Sequence, residues 1–186
     1  MQNPLARFEH GATLVECVVT LGIVAGALRM GVPAFSDMLQ NTALVSASQD
    51  VLMDLHLARA EALKRNRRVD LCKSSDGLLC TKAGGWEQGW LVFHDENNNG
   101  RRDDGEELIA RREALGAMLR LRGNQPVANY ISYTPLGASK YATGGFQAGT
   151  LTLCRVSVGA TPSREVILNA LGRPRVQKAT AASCDA

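Results

Sequence analysis

The sequence predicts an α+β protein, one long amino-terminal helix packed on an antiparallel β-sheet domain. Three observations carry that reading. Residues 12–28 form an apolar run with a single acid, residues 34–66 place apolar side chains at three- and four-residue steps, and from residue 69 onward short β-rich segments alternate with Gly, Pro, Asn and Asp clusters. A helix followed by a run of strands argues for segregated layers rather than alternating βαβ units. With 186 residues, 45% apolar content and 18 glycines, the chain can bury one modest core. The predicted organisation is a leader at 1–11, a transmembrane or filament-core helix segment at 12–33, an amphipathic helix at 34–66, and a β domain with a basic tail at 67–186.

The leader, MQNPLARFEHG, carries Arg7 and ends in Gly11; ATLVECVVTLGIVAGAL follows, with Glu16 near its front. An acid there is costly in a bilayer and calls for a positively charged partner. Seventeen residues at about 1.5 Å each span roughly 25 Å, short of a hydrocarbon core of about 30 Å. Arg29 then has to snorkel, or the segment leaves the membrane and packs in a filament. An ordinary secretory signal peptide requires a small-residue cleavage site after the apolar stretch, and GVPAFS at 31–36 offers a poor one. The start resembles the class III signal of type IV pilins and type II secretion pseudopilins. That resemblance implies a prepilin peptidase cutting between Gly11 and Ala12 and methylating the new amino terminus. It implies that Glu16, fifth in the mature chain, pairs with the terminal amine of a neighbouring subunit, and that Pro33 marks a kink. Ala12 departs from the bulky residue usual at that position.

After Pro33, the residues Phe35, Leu39, Val45, Leu52, Leu55, Ala58 and Ala62 mark an apolar face, and Gln49, Asp50, Asp54, Glu61 and Lys64 an opposite polar one. Lys64, Arg65, Arg67 and Arg68 cluster where the negative pole of the helix dipole favours cations. His56 reads as a solvated or packed side chain. The segments VDLCK, GWLVFH, ELIARR, MLRLR, YISYT, GTLTLCRV and REVILN read as strands of an antiparallel sheet on the helix's second half. Cys17 lies in the apolar run and reads as a small buried side chain. Cys72, Cys80, Cys154 and Cys184 lie in the β domain and allow three pairings. Favoured are Cys72 with Cys80, closing a short loop, and Cys154 with Cys184, tying down the tail. A zinc site lacks any CxxC pair.

The loop DENNNGRRDDGE places Asp95, Asn97, Asn99, Gly100, Asp103 and Glu106 at positions one, three, five, six, nine and twelve of an EF-hand pattern. Such oxygen ligands suit Ca²⁺, yet strands flank the loop and Arg101 and Arg102 lie within it. The competing reading is a solvated hairpin loop rich in turn formers.

LARAEALKRNRRVDLC, then Trp86, GWLVFHD, Pro135 and Gly137 in YTPLG, and finally GRPR follow the order of landmarks in the GspH/FimT family of minor pseudopilins and minor pilins, which the chain resembles over nearly its whole length. In the FimT-type branch a GRxR stretch is linked to DNA binding in natural transformation. Arg173 and Arg175 occupy its arginine positions, Lys178 follows, and Arg155 and Arg164 widen the patch if strand pairing gathers them. The secretion branch acts near a pseudopilus tip through protein contacts. Both imply other major and minor pilins or pseudopilins as partners, with passage through the bacterial inner membrane as a single-pass protein whose carboxyl-terminal domain is periplasmic. An enzyme reading finds no support in the motifs. His10 falls in the leader, His94 has no nucleophile beside it, and no phosphate loop or dinucleotide fingerprint occurs.

Overall fold

A computed structural model describes residues 13–184; Gly11 and Ala12 lie outside them. Helix α1, Leu14–Arg65, is followed by eight strands: β1 Val69–Lys73, β2 Trp90–His94, β3 Leu108–Arg112, β4 Leu119–Gly123, β5 Tyr130–Tyr133, β6 Gly149–Arg155, β7 Thr161–Leu168 and β8 Pro174–Ala181. The chain divides after Asn41: the described part of the first unit is helical from Leu14, and the second unit, from Thr42, contains every strand among the described residues.

Both ends of α1 are closed by local chemistry. Thr13 Oγ1 accepts the N–H of Glu16 at 3.3 Å, the contact a Thr-x-x-Glu capping box makes. At the other end Asn66 turns left-handed at φ 53°, and the Arg67 N–H closes back on the Ala62 carbonyl at 3.3 Å. That six-to-one bond ends the helix in a Schellman-type turn. Among the described residues no helix is long and apolar enough to cross a membrane.

The buried stripe of α1 comprises Leu44, Ala47, Val51, Leu55, Ala58 and Ala62. The predicted Leu55, Ala58 and Ala62 belong to it; Phe35, Leu39 and Val45 are exposed. Upstream of Thr42 the helix lies outside the unit that forms the core, and within that unit the stripe runs through Leu44 and Val51 rather than Val45 and Leu52. Asp54, expected on the solvated face, is also buried, because Trp90 Nε1 donates to it at 2.9 Å and Arg112 grips it at 2.7 and 2.9 Å. Three charge-assisted or buried hydrogen bonds offset the desolvation of its carboxylate, and the same contact raises the pKa of Arg112.

The strands form two antiparallel sheets rather than one, in the orders β3-β2-β1-β5 and β4-β6-β7-β8. The division arises because β4 pairs with β6 rather than continuing from β3. Each sheet then turns one apolar face to a shared core. Leu71, Val92 and Ile131 come from the first, Leu121, Leu153 and Val166 from the second, with Trp86 and Trp90 between them. Cys72, Leu91 and Phe93 point to the other face of the first sheet, where Cys72 is bridged to Cys80. A second bridge joins Cys154 of β6 to Cys184. Strand β8 is absent from the predicted set; it pairs with β7 along its whole length, from Thr161 with Ala181 to Leu168 with Pro174.

Candidate functional site

Glu16 stands in the first turn of α1, exposed, with its backbone N–H held by Thr13. An acid there suits the positive pole of the helix dipole. The side chain is therefore compatible with the helix start before any neighbouring subunit is considered.

The GRPR stretch begins where the β7–β8 hairpin turns. Asn169 organises that turn: its carbonyl accepts the Gly172 N–H at 2.9 Å and its Oδ1 accepts the Arg173 N–H at 2.9 Å. Gly172 has φ 73°, and a Cβ there would lie 2.1 Å from the Gly137 carbonyl oxygen. Only glycine fits both demands. The hairpin thus rests on the Pro135–Gly137 turn, which Arg59 of α1 fixes by donating Nε to the same Gly137 oxygen at 2.9 Å. Ser139 adds a hydrogen bond to the Asn169 carbonyl at 3.0 Å.

On this support Pro174 is buried while Arg173 and Arg175 are exposed. Arg175 Nη1 donates to Gln177 Oε1 at 2.8 Å, and Gln177 Nε2 donates to Glu165 at 2.8 Å, so residues 175 and 177 share one face of β8. Lys178 falls on the opposite face by strand alternation, directly across from Arg164. Arg155 of β6 is the diagonal neighbour of Arg164, since Leu153 pairs with Arg164. The expected single patch is thus two: Arg173 with Arg175, and Lys178 with Arg164 and Arg155.

The 95–106 loop closes largely on its own donors. Asp95 is buried and accepts N–H bonds from Asn99 and Gly100 at 3.1 and 2.9 Å. Glu106 accepts from the Glu96 and Asp103 backbones, both at 2.9 Å. Asn97 and Asn99 donate their amides to Asp103 and lower its pKa. Among the described residues no group of three or more His, Cys, Asp and Glu side chains is arranged to hold a metal ion. Beneath the loop, Asp70 is fully buried and accepts from Ser132 Oγ, which in turn accepts from Arg68 at 2.7 Å. Burial, and next the neighbouring Asp95 charge, hold the Asp70 pKa well above the usual carboxylate range.

A sequence model of the family described as type II transport protein GspH matches residues 47–172. The chain belongs to the GspH family. Its pilin-like protein relative PilA1 from Thermus thermophilus is 30% identical over 169 residues, covering 91% of this chain and 99% of that one. Two crystal structures of the type IV minor pilin FimU from Pseudomonas aeruginosa share the fold. One has a TM-score of 0.55 at 16% identity, covering 79% of this chain and 98% of that one. The other has a TM-score of 0.52 at 17% identity, with coverages of 76% and 99%. The GspH-family chain is therefore a pilin-type subunit by membership and by fold. The matched span starts after Glu16 and stops at Gly172, one residue before Arg173.

Sequence reasoning missed the Thr13 cap, although Thr-x-x-Glu was legible, and the Asp54 clasp, which depends on strand placement. It also missed that Gly172 and Gly137 touch.

Proposed function

We propose that this GspH-family subunit is a FimT-like minor pilin of a type IV pilus that also binds DNA. In this reading prepilin peptidase removes residues 1–11, the mature chain passes through the inner membrane by its apolar amino-terminal segment, and Glu16 docks it among other pilins. Processing has a direct test: Gly11→Asp should leave the leader attached in membranes, as read by mass spectrometry, and a chain starting after residue 30 would overturn it.

The DNA reading rests on one observation, the display of Arg173 and Arg175 as exposed guanidinium groups at alternate positions beside a hydrogen-bonded, glycine-keyed turn. A fixed turn presents two planar forks at little ordering cost, which suits phosphate oxygens. Binding should be largely sequence-independent, with log affinity falling linearly against log salt. Replacing both arginines with alanine should flatten that slope by roughly 1.8 units on duplex DNA. Lysine at both positions should weaken binding less than alanine. No retention of DNA by the wild-type chain at low salt would overturn the reading.

The description of the matched family favours a second reading, a type II secretion pseudopilin acting near the pseudopilus tip through protein contacts alone. It takes over if DNA binding fails while filament incorporation persists.

A further inference from the structure

Above the outer face of the first sheet lies a half-open cavity of about 490 Å³, a volume within the usual range for small-molecule sites. Its floor is Cys72 of β1 and Tyr130 of β5, paired across the sheet. One rim is Cys80–Lys82, covalently tied to the floor by the Cys72–Cys80 bridge. The other is Asn99–Arg101, from the 95–106 loop.

This wall is preformed. Gly100, at φ 75°, packs so closely on the Tyr130 ring that a Cβ would fall 2.9 Å from it. The Tyr130 hydroxyl accepts the Ala142 N–H at 3.1 Å, which fixes the ring from behind. The Arg102 N–H points to Cys80 Sγ at 3.2 Å and links the two rims.

The charge of the lining is one-sided. Lys82 and Arg101 are both exposed cations, Asn99, Asn129 and Thr81 supply neutral polar groups, and among the described residues no Asp or Glu lines the cavity. Of the loop acids beside it, Asp95 is taken up by the Asn99 and Gly100 N–H groups, and Asp103 by the Asn97 and Asn99 amides, with Arg101 near enough to help hold its charge. We infer that this cavity is a binding site for a small phosphorylated compound, whose phosphate is met by Lys82 from one rim and Arg101 from the other while its body lies on Tyr130. Arg101 can engage two phosphate oxygens and Lys82 adds a point charge. The disulfide and the Gly100 contact spare the ligand most of the ordering cost. The site is separate from Arg173 and Arg175 and independent of DNA binding.

The test uses the oxidised full-length chain in detergent at constant 0.15 M chloride, titrated calorimetrically with AMP, adenosine and inorganic phosphate. AMP should bind, phosphate should compete with it, and adenosine should bind at least tenfold more weakly. Lys82→Ala and Arg101→Ala should each weaken AMP binding about tenfold. The pair Lys82→Arg with Arg101→Lys should retain most of it, and Arg173→Ala with Arg175→Ala should leave it unchanged. Melting curves check that each variant is folded, which the exposure of both side chains favours. Equal binding of AMP and adenosine, unaltered binding in the Lys82 and Arg101 variants, loss of binding in the Arg173 and Arg175 variant, or no heat with millimolar AMP would each overturn the inference.

Discussion

The two halves of α1 have opposite surroundings, and the more apolar one is the more exposed. From Leu44 to Ala62 the helix buries its apolar stripe under two sheets, whereas Leu14, Val18, Leu21 and Ile23 are all more than half exposed in the single chain. Burying a side chain such as leucine is worth about 1.5–3 kcal/mol. The second half collects that stabilisation within the chain. The first half, outside the unit that holds the strands, collects none of it in the single chain, so its side chains contribute little to the stability of the β unit.

This contrast can be broken most sharply by matched truncations. Leu55→Ala should cost about 2–5 kcal/mol of unfolding free energy, whereas Leu21→Ala should change it by no more than about 0.5. Glu16→Ala should likewise leave the melting of the β unit unaltered while filament incorporation, read by immunoblot of sheared filaments, is lost. Equal destabilisation by Leu21→Ala and Leu55→Ala would erase the distinction.

Removing the bridges sharpens it next. Replacing Cys154 and Cys184 with serine opens a loop with a separation of 30 residues, and replacing Cys72 and Cys80 one of 8. Chain entropy predicts losses of roughly 3.5 and 2.5 kcal/mol respectively. Denaturant midpoints under oxidising conditions should show that order, and the reverse order would locate the effect in native packing instead.

A smaller effect is expected from pH. Asp70 retains its proton in the folded chain over a range in which the unfolded chain has released it, because burial and the Asp95 charge raise its folded pKa. Its contribution is complete below the unfolded value near pH 4 and is lost as pH rises toward the folded value, at up to about 1.4 kcal/mol per pH unit. Asp70→Asn should flatten the decline of stability between pH 4.5 and 7, measured by urea denaturation. An unchanged pH profile would show that Asp70 is ionised in the fold.

The smallest effect concerns the 95–106 loop, whose calcium reading remains a proposal. If the ion binds, it must compete with the loop's own N–H donors, so millimolar calcium should raise the melting temperature by only a few degrees. Glu106→Ala should remove that rise. A melting curve indifferent to calcium leaves the self-closed hairpin loop.

Much of this was legible in the residues because it is local. Short β-rich segments bounded by turn formers located seven strands, and an apolar run with Glu16 near its front marked the helix start. What escaped is non-local. Asp54 reads as a surface acid until β2 and β3 bring Trp90 and Arg112 to it. Strand β8 was hidden because the adjacent Gln177 and Lys178 break the alternation of PRVQKATA and because it begins with Pro174, which suits an edge strand but resembles a turn. That omission also merged Lys178 with Arg175: once the segment is a strand, a spacing of three puts them on opposite faces. The offset in the α1 stripe has a similar origin, since apolar content alone does not say where along a helix the core begins.

The Cys154–Cys184 bridge has a practical consequence for measuring filaments. Cys184 is held twice, by the bridge to β6 and by a reciprocal pair of backbone hydrogen bonds with Ser157 at 3.1 and 3.2 Å. A fluorophore or spin label carried by an unnatural amino acid at Ala182, exposed and two residues before Cys184, therefore sits beside a point covalently fixed to β6. Distances between labelled subunits, read by energy transfer or pulsed dipolar spectroscopy, would map the rotation and rise of the assembly rather than the wandering of a tail.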